Sequence, residues 1–134
     1  MSSPIKVLLV DDEPRLTDSW AKLIERQSDM VCVGVIDSAG RLDDALTRLS
    51  PDIVLMDFTM PGPDPLDVLW ELNKTGATAR AIIYSGRAEP ELVVRAIECG
   101  AWGFVDKLSP PADILGAMRA VAAGGQVFPD IFTT

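Results

Sequence analysis

The strongest constraint on the fold is the regular alternation of short apolar runs with amphipathic stretches along the chain. Five runs have the length of β-strands and are rich in Val, Ile and Leu at successive positions: residues 5–12, 30–36, 52–57, 80–85 and 103–107. Because both faces of such strands are apolar, they are typical of a parallel sheet that is covered on both sides.

The stretches between and after these runs carry apolar residues at helical spacing, which predicts five helices. Their apolar faces are Leu16, Trp20, Leu23 and Ile24; Leu42, Ala45, Leu46 and Leu49; Leu66, Leu69 and Trp70; Leu92, Val93, Ala96 and Ile97; and Ile114, Leu115, Met118, Val121 and Ala122. Five strand–helix units predict an α/β fold with right-handed crossovers and helices on both faces of the sheet.

Residues that favour helix ends lie at the expected boundaries. Pro14, Pro90 and Pro110 suit a first helical turn, and Ser109 is a candidate N-cap before Pro110. Gly100 and Gly124 suit helix C-termini, where the backbone often takes a left-handed conformation.

Length and composition restrict the class of protein. A chain of 134 residues with 48% hydrophobic residues is enough for one globular domain. No apolar run is long enough to cross a membrane, and the N-terminus lacks a secretory signal. We therefore expect a cytoplasmic protein in which Cys32 and Cys99 are reduced. The net charge of −8 argues against nucleic-acid binding by these residues, and the absence of histidine excludes triads with a His base.

Polar residues follow four of the predicted strands. Asp11, Asp12 and Glu13 end the first, Asp57 the third, Ser85 the fourth and Lys107 the fifth. Because sheets of this type bind ligands at the carboxyl ends of their strands, these groups should lie on one rim.

This set of groups suits phosphoryl transfer to an aspartate. Clustered carboxylates repel one another unless a cation shares the site, and oxygen ligands favour a hard ion such as Mg²⁺ or Mn²⁺. Lys107 supplies a fixed charge for phosphoryl oxygens, and Ser85 supplies a hydroxyl. Asp57 can then act as the nucleophile on phosphorus. Each group alone is common at a strand end or turn, but their joint occurrence favours a phosphoryl site.

Four segments, LLVDDEP, IVLMDFTMPGPD, IIYSG and AWGFVDK, resemble the receiver domains of two-component response regulators, and the resemblance covers residues 5–124. It implies a flavodoxin-like fold with strand order 2-1-3-4-5 and an aspartyl-phosphate switch. Asp57 corresponds to the phosphoacceptor. The other implied roles are metal binding by Asp12, Asp57 and the Thr59 carbonyl, with Asp11 acting through water; phosphoryl contact by Ser85 and Lys107; switching by Phe104; and tuning of phosphoryl lifetime by Thr59 and Arg87.

Two positions in the switch region depart from the family pattern. The lysine is usually followed by proline, often through a cis bond, but Leu108 follows it here. Because a cis bond before a non-proline residue costs about 2.5–4 kcal/mol, we expect a trans bond. Phe104 stands where tyrosine is common, and the alternative interpretation of this ring is an ordinary core residue.

The sequence from Gly103 to Phe128 resembles the NarL/LuxR subfamily, in which a linker and a helix-turn-helix domain follow the receiver. We expect a receiver domain at 1–124, with residues 125–134 forming a tail or the start of a linker. The chain is then either part of a transcription regulator, which contacts DNA only through a further domain, or a single-domain regulator. The resemblance implies a sensor histidine kinase as partner and a phosphorylation-dependent change in the surface of the fourth helix, fifth strand and fifth helix.

A homodimer that forms on phosphorylation is a further hypothesis. Small residues in the fifth helix would permit close helix approach: Gly116, Ala117, Ala120 and Ala123. Trp102 is either part of the same surface or a cap on the core.

Three other functions compete with the phosphorylated switch. A degenerate receiver would act only as a docking module, without phosphorylation. A phosphatase of the haloacid-dehalogenase type would have DxD at the end of the first strand, where this chain has DDE. A flavin- or nucleotide-binding module would have a glycine-rich loop after that strand, which is absent. We therefore expect a signalling protein rather than an enzyme, with self-phosphorylation and autodephosphorylation as its only activities.

Overall fold

The computed structural model describes residues 3–130. They form one five-stranded sheet with the order β2-β1-β3-β4-β5, in which every neighbouring pair is parallel. The strands are β1 (Ile5–Val10), β2 (Met30–Ile36), β3 (Ile53–Asp57), β4 (Arg80–Ser85) and β5 (Gly103–Asp106). The predicted fold class is confirmed, and two strands end slightly earlier than predicted, so that Asp11 and Lys107 lie just beyond β1 and β5.

Five helices cover the two faces of the sheet. They are α1 (Pro14–Glu25), α2 (Leu42–Leu49), α3 (Pro65–Lys74), α4 (Pro90–Glu98) and α5 (Pro111–Ala122). Alternate strand residues point to opposite faces. Leu9, Leu55 and Ile82 form one core with residues of α1 and α5. Leu8, Met56 and Ile83 form the other with residues of α2, α3 and α4.

The predicted helix boundaries are mostly confirmed, but the start of α5 is not. Pro14 and Pro90 begin α1 and α4, and Gly100 and Gly124 have φ values of 95° and 100°. Ser109 is not an N-cap, and Pro110 is not in the first turn. Pro110 itself precedes the helix with ψ 141°, because the following Pro111 disfavours helical backbone in the residue before it.

Two residues assigned to apolar helix faces lie outside the core. Trp70 is 47% exposed and Ile97 is 45% exposed. In α3 the core face is completed by Leu72 rather than by Trp70, whose ring instead has the Lys74 ammonium 5.1 Å from its centre. Helical spacing alone does not decide which edge of an apolar stripe meets the sheet.

Polar contacts hold α4 against α3. Asp64 is the N-cap of α3, and its Oδ1 accepts a hydrogen bond of 2.8 Å from the Leu66 N–H. Arg95 of α4 donates to Asp64 Oδ2 at 2.9 Å and to Asp67 Oδ1 at 3.1 Å. One carboxylate therefore both caps a helix and anchors its neighbour.

The chain turns back after α5 and runs along the outer edge of β5. The Gly124 and Gly125 N–H groups donate to the Val121 and Ala120 carbonyls, which closes the end of α5 as a Schellman motif. Val127 then forms a parallel bridge with Gly103. Part of the predicted tail is thus paired with the sheet, and the domain boundary at Gly124 stays a prediction. Residues 131–134 lie outside the described residues.

Within residues 3–130, none of the helices combines the length and the hydrophobicity that a membrane span requires.

The Asp64–Arg95 contact should make stability depend on pH. Burial raises the pKa of Asp64, but hydrogen bonds from Arg95 and the Leu66 N–H outweigh it and hold the pKa below 3.8. A lowered pKa stabilises the fold above the pKa of the unfolded state, and this contribution is lost as pH falls through the folded pKa. We predict that Asp64→Asn, which keeps a capping acceptor, is less stable than the wild type at neutral pH. The difference should shrink as pH falls below the ordinary aspartate range and Asp64 becomes protonated, as measured by denaturant unfolding.

The control is Asp44→Asn, which removes an exposed ion pair with Arg48 at 3.4 Å. It should change stability by less than about 1 kcal/mol. A deficit of Asp64→Asn that persists unchanged in acid would contradict the prediction.

Candidate functional site

Three carboxylates meet at the carboxyl ends of β1 and β3. Asp11 and Asp12 follow β1 directly, and Asp57 is the last residue of β3. These strands are neighbours, with Val10 paired to Met56, so their ends lie level. One carboxylate oxygen from each of the three residues lies within 4.8 Å of the others. Asp57 and Asp11 are 3% and 7% exposed, whereas Asp12 faces solvent. The predicted acidic rim is therefore confirmed.

The backbone orients two of these carboxylates and removes a fourth from the cluster. Asp11 Oδ1 accepts from the Glu13 N–H at 2.9 Å, and Asp57 Oδ1 accepts from the Thr59 N–H at 3.0 Å. Such bonds to the residue two positions ahead fix the side chain of an aspartate in a turn. Glu13 is instead the N-cap of α1, where it accepts from the Arg15 N–H.

Lys107 brings a positive charge to the cluster. Its Nζ lies 2.9 Å from Asp57 Oδ1, and its backbone N–H donates to the Ser85 carbonyl at 2.9 Å. The ammonium also lies 5.3 Å from the centre of the Tyr84 ring, at cation–π distance. The predicted convergence of Asp57 and Lys107 is confirmed.

The placement of Tyr84 and Trp20 behind Lys107 was not predicted from the sequence, although Trp20 was assigned to the apolar face of the first helix. Tyr84 lies edge to face with Trp20 at 6.1 Å, and its hydroxyl accepts from Trp20 Nε1 at 3.4 Å. This pair fixes the ring beneath the ammonium. The position of Tyr84, directly before Ser85 at the end of a buried strand, could have indicated that its ring lies near the site.

The site makes the pKa of Asp11 unusual. Desolvation on burial is the largest cause, and the neighbouring charges of Asp57 and Asp12 act in the same direction. The Glu13 N–H and the Lys107 charge oppose them. The balance raises the pKa of Asp11 from 3.8 to about 6. Ionisation of Asp11 near neutral pH therefore costs free energy, because burial and the neighbouring carboxylates disfavour its charged form.

Ser85 lies at the same rim, and its hydroxyl is hydrogen-bonded to the backbone of Arg87. The residue is 2% exposed. Its Oγ accepts from the Arg87 N–H at 3.1 Å and donates to the Arg87 carbonyl at 3.3 Å. To donate to a group on Asp57, this hydroxyl would have to give up its hydrogen bond to the Arg87 carbonyl.

Thr59 and Arg87 present exposed side chains near the rim. The Arg87 guanidinium lies 3.9 Å from Glu89. Their expected influence on phosphoryl lifetime stays a prediction.

Phe104 is already inside the protein. It is 2% exposed and belongs to the core that contains Met56 and Ile83. Its position therefore fits the alternative of a core ring, and its role as a switch stays a prediction.

Leu108 makes a backbone contact that a proline at this position could not make. The Lys107–Leu108 bond is trans, as expected. The Leu108 N–H donates to Asp106 Oδ1 at 2.8 Å, while its side chain is 88% exposed. A proline has no N–H, so the loop after β5 is closed here by a different means.

The cluster fits a hard divalent cation. Its donors are all carboxylate oxygens, and one of them carries a raised pKa caused in part by its neighbours' charges. Mg²⁺ is commonly held by one or two carboxylates together with water and phosphate oxygens.

Comparisons with known proteins agree with this geometry. Residues 7–119 match the family model of the response regulator receiver domain. The chain belongs to this family. It is 32% identical over 130 residues to the nitrate/nitrite response regulator NarL of Escherichia coli K12, covering 97% of this chain and 60% of NarL. It is 33% identical over 129 residues to NarP of the same organism, covering 96% and 60%. It thus spans about 60% of the length of these curated relatives.

Solved structures support the same subfamily. A LuxR-family response regulator from Aurantimonas superposes with a TM-score of 0.89 at 33% identity, covering 96% of this chain and 93% of the other. The NarL signal receiver domain from Mycobacterium tuberculosis superposes with a TM-score of 0.86 at 26% identity, covering 92% and 99%. The chain is a receiver domain of the NarL/LuxR type, and such domains serve signalling.

Because the pKa of Asp11 is raised, replacing this carboxylate with a neutral side chain should stabilise the fold by an amount that depends on pH. A raised carboxyl pKa contributes stability at pH values below the unfolded pKa, and this contribution is lost as pH rises through about 6. Without divalent ions, Asp11→Asn should therefore be more stable than the wild type above about pH 7, by about 1–3 kcal/mol. The gain should vanish below about pH 4, as measured by denaturant unfolding across that range.

The matched control is Asp18→Asn, on the exposed side of α1. It should change stability by less than about 0.5 kcal/mol at either pH. Equal stability of wild type and Asp11→Asn at pH 8 would show that the ionised Asp11 carboxylate does not destabilise the fold, and would refute the prediction.

Proposed function

We propose that this chain is a phosphorylation-dependent signalling switch that accepts a phosphoryl group on Asp57 from a phosphohistidine of a sensor histidine kinase. The observation that carries the proposal is the pairing of the buried Asp57 carboxylate with Lys107 Nζ at 2.9 Å, beside two further carboxylates. Membership of the receiver family supports the same interpretation.

In this proposal the reaction is a displacement at phosphorus. An oxygen of Asp57 forms a bond to phosphorus, and the bond between phosphorus and the donor imidazole nitrogen breaks. The electron pair of that bond stays on the nitrogen, so a donor ring that carries a proton on its other nitrogen leaves as neutral imidazole. The product is an acyl phosphate on Asp57.

A divalent cation, Mg²⁺ or Mn²⁺, would neutralise negative charge on the phosphoryl oxygens when bound. Asp12, Asp57 and the Thr59 carbonyl would hold it directly, and Asp11 would act through water. The closeness of three carboxylate oxygens supports this assignment. The raised pKa of Asp11 supports it as well, because the Lys107 charge offsets only part of the burial and of the repulsion from Asp57 and Asp12.

Lys107 and Ser85 would receive the phosphoryl oxygens. Lys107 Nζ and the Thr59 N–H both contact Asp57 Oδ1, so the ammonium already lies beside the carboxylate and would bind a phosphoryl oxygen there. The Ser85 hydroxyl would leave its bonds with Arg87 and donate to another. Positioned donors of this kind stabilise the charge that develops in the transition state.

Loss of the phosphoryl group would follow the same geometry. Water attacks phosphorus, the bond from phosphorus to the Asp57 oxygen breaks, and the carboxylate and inorganic phosphate are released. Thr59 and Arg87 have exposed side chains, and their backbone N–H groups bind Asp57 and Ser85, which supports their assignment as residues that tune phosphoryl lifetime.

In the whole protein we infer a role in the control of transcription. The relatives named above are response regulators, and this chain covers only about 60% of their length. DNA contact would belong to a domain outside residues 1–134, because the net charge of these residues is −8. The location would be the cytoplasm, where a kinase and DNA are both accessible.

Dimerisation through α5 on phosphorylation is a second element of the proposal. Gly116 and Ala123 are exposed, which supports it, whereas Ala117 is buried against the sheet and cannot contribute. Sedimentation with and without beryllofluoride, an acyl-phosphate mimic, should register a rise in mass. An unchanged monomer would refute this element alone.

Intact mass spectrometry tests the central claim. After incubation with Mg²⁺ and acetyl phosphate, or with a phosphorylated kinase, the wild type should gain one phosphoryl group. Asp57→Asn should gain none, because the amide is not a nucleophile toward phosphorus. Chelation of the metal should also prevent labelling.

Asp18→Asn is again the matched control, since it removes an exposed carboxylate from α1, and it should be labelled like the wild type. Labelling of Asp57→Asn to the wild-type extent would overturn the assignment of the phosphoacceptor.

A further inference from the structure

Tyr84 is the residue of β4 that lies beside the proposed phosphoacceptor. In the parallel ladder between β3 and β4 it is the partner of Asp57, and its carbonyl accepts from the Phe58 N–H at 3.1 Å. The residue is 5% exposed and belongs to the core that α1 and α5 cover. Tyr84 and Asp11 line the same small cavity. The phenol ring is therefore part of the surroundings of the acidic cluster, although it brings no charge to it.

The Lys107 ammonium contacts both this ring and the Asp57 carboxylate. Its Nζ lies 5.3 Å from the ring centre and 2.9 Å from Asp57 Oδ1. The face of an aromatic ring carries negative charge and attracts a cation at this distance. A lysine side chain has many rotamers, so one contact with a carboxylate does not fix the direction from which the ammonium approaches. The ring supplies a second point of attachment.

The ring itself is held by Trp20 of α1. The two rings meet edge to face with their centres 6.1 Å apart, and Trp20 Nε1 donates to Tyr84 Oη at 3.4 Å. Trp20 is 6% exposed, so both rings lie in the packed interior. Side chains in such an interior keep one rotamer, and the ammonium therefore meets a surface whose position is fixed.

We propose that Tyr84 is a positioning residue for phosphoryl transfer, whose ring holds the Lys107 ammonium beside Asp57 where it can meet a phosphoryl oxygen. The inference rests on the proposed function, because the position of Lys107 affects the reaction only if Asp57 is the phosphoacceptor. The ring face is sufficient for this role. The Tyr84 hydroxyl serves stability instead, because the buried Trp20 N–H would lose its acceptor without it.

Two substitutions at this position separate the ring from the hydroxyl. Tyr84→Phe keeps the ring and Tyr84→Leu removes it, and both leave the Trp20 N–H without its acceptor. A loss of stability through Trp20 should therefore appear in both variants, whereas a loss of phosphoryl transfer should appear only in Tyr84→Leu. Ile53→Val is the control for core packing, since Ile53 lies in the same core at the opposite end of β3 from Asp57.

The first measurement is the second-order rate constant for labelling of the full chain by acetyl phosphate with Mg²⁺, followed by intact mass. Tyr84→Leu should lower it by about 5- to 30-fold, the range for a cation–π contact that is mostly shielded from water. Tyr84→Phe and Ile53→Val should match the wild type. Lys107→Ala should also be slow, and adding Tyr84→Leu to it should cause no further loss, because a positioning residue has no effect once the group it positions is gone.

The second measurement is the NMR signal of the Lys107 ε-methylene protons, recorded without Mg²⁺ or a phosphodonor. Protons over the face of an aromatic ring are shifted upfield. The Lys107 signals should therefore lie upfield in the wild type and in Tyr84→Phe, and at the ordinary lysine position in Tyr84→Leu. If Tyr84→Leu fails to fold, Tyr84→Met takes its place in both measurements, since an unbranched thioether adapts to irregular core space and carries no ring.

The outcomes separate this inference from the proposed function. A labelled wild type with equally fast labelling of Tyr84→Leu would overturn the inference and leave the proposed function standing. Equal losses in Tyr84→Phe and Tyr84→Leu, or losses of Tyr84→Leu and Lys107→Ala that add, would do the same, because each indicates a purely structural role. Lys107 signals at the ordinary position in the wild type would also overturn the inference alone. Absence of any phosphoryl gain in the wild type would overturn both.

Discussion

The site depends on one electrostatic conflict, the repulsion between carboxylates that the strand ends force together. Asp11 and Asp57 are both buried, and oxygens of the two lie within 4.8 Å. At an effective dielectric constant of about 20, two unit charges at that distance repel by about 3 kcal/mol. One lysine at 2.9 Å from Asp57 offsets part of this repulsion, but it brings one positive charge to three carboxylates. The negative charge of the three carboxylates is thus only partly neutralised, and binding of a further positively charged group at the site is favoured.

The sheet makes this conflict unavoidable. Asp57 ends a strand whose five residues are all buried, and its oxygen is fixed by the Thr59 N–H. Asp11 is fixed in the same way by Glu13. Neither side chain can swing into solvent without losing a hydrogen bond, and the strands cannot separate without breaking the ladder between β1 and β3. The core therefore supplies the energy that holds like charges together. In a site of this kind the repulsion between carboxylates is opposed by the stability of the whole fold rather than relieved by movement of a flexible loop.

Sequence patterns predicted the parts of the molecule that local rules govern. Apolar runs predicted the strands, and the polar residue after each run predicted which groups share the rim, because parallel strands end on the same side. The strand order came from the family resemblance. The errors arise where a neighbour in space or in sequence overrides the local pattern. Pro111 excluded Pro110 from the first turn of α5, and Leu72 rather than Trp70 met the core.

Other features lay beyond sequence patterns because they depend on distant contacts. The Tyr84 ring beneath Lys107 is held by Trp20, 64 positions earlier. Residues 126–128 lack a periodic pattern, and their position is defined by two hydrogen bonds between Val127 and β5 and its approach, and by two half-buried side chains. Only the tertiary arrangement identifies either one.

The position of Lys107 illustrates how a departure from the family pattern can be offset. The lysine of this family is usually followed by proline, which restricts the backbone there; Leu108 does not. In this chain the Leu108 N–H bonds to Asp106, and the Lys107 N–H bonds to the Ser85 carbonyl, so the backbone is fixed on both sides of the peptide bond. The Tyr84 ring then limits where the ammonium can lie, and Asp57 receives it. Hydrogen bonds and an aromatic face thus replace the stiffness of a proline ring.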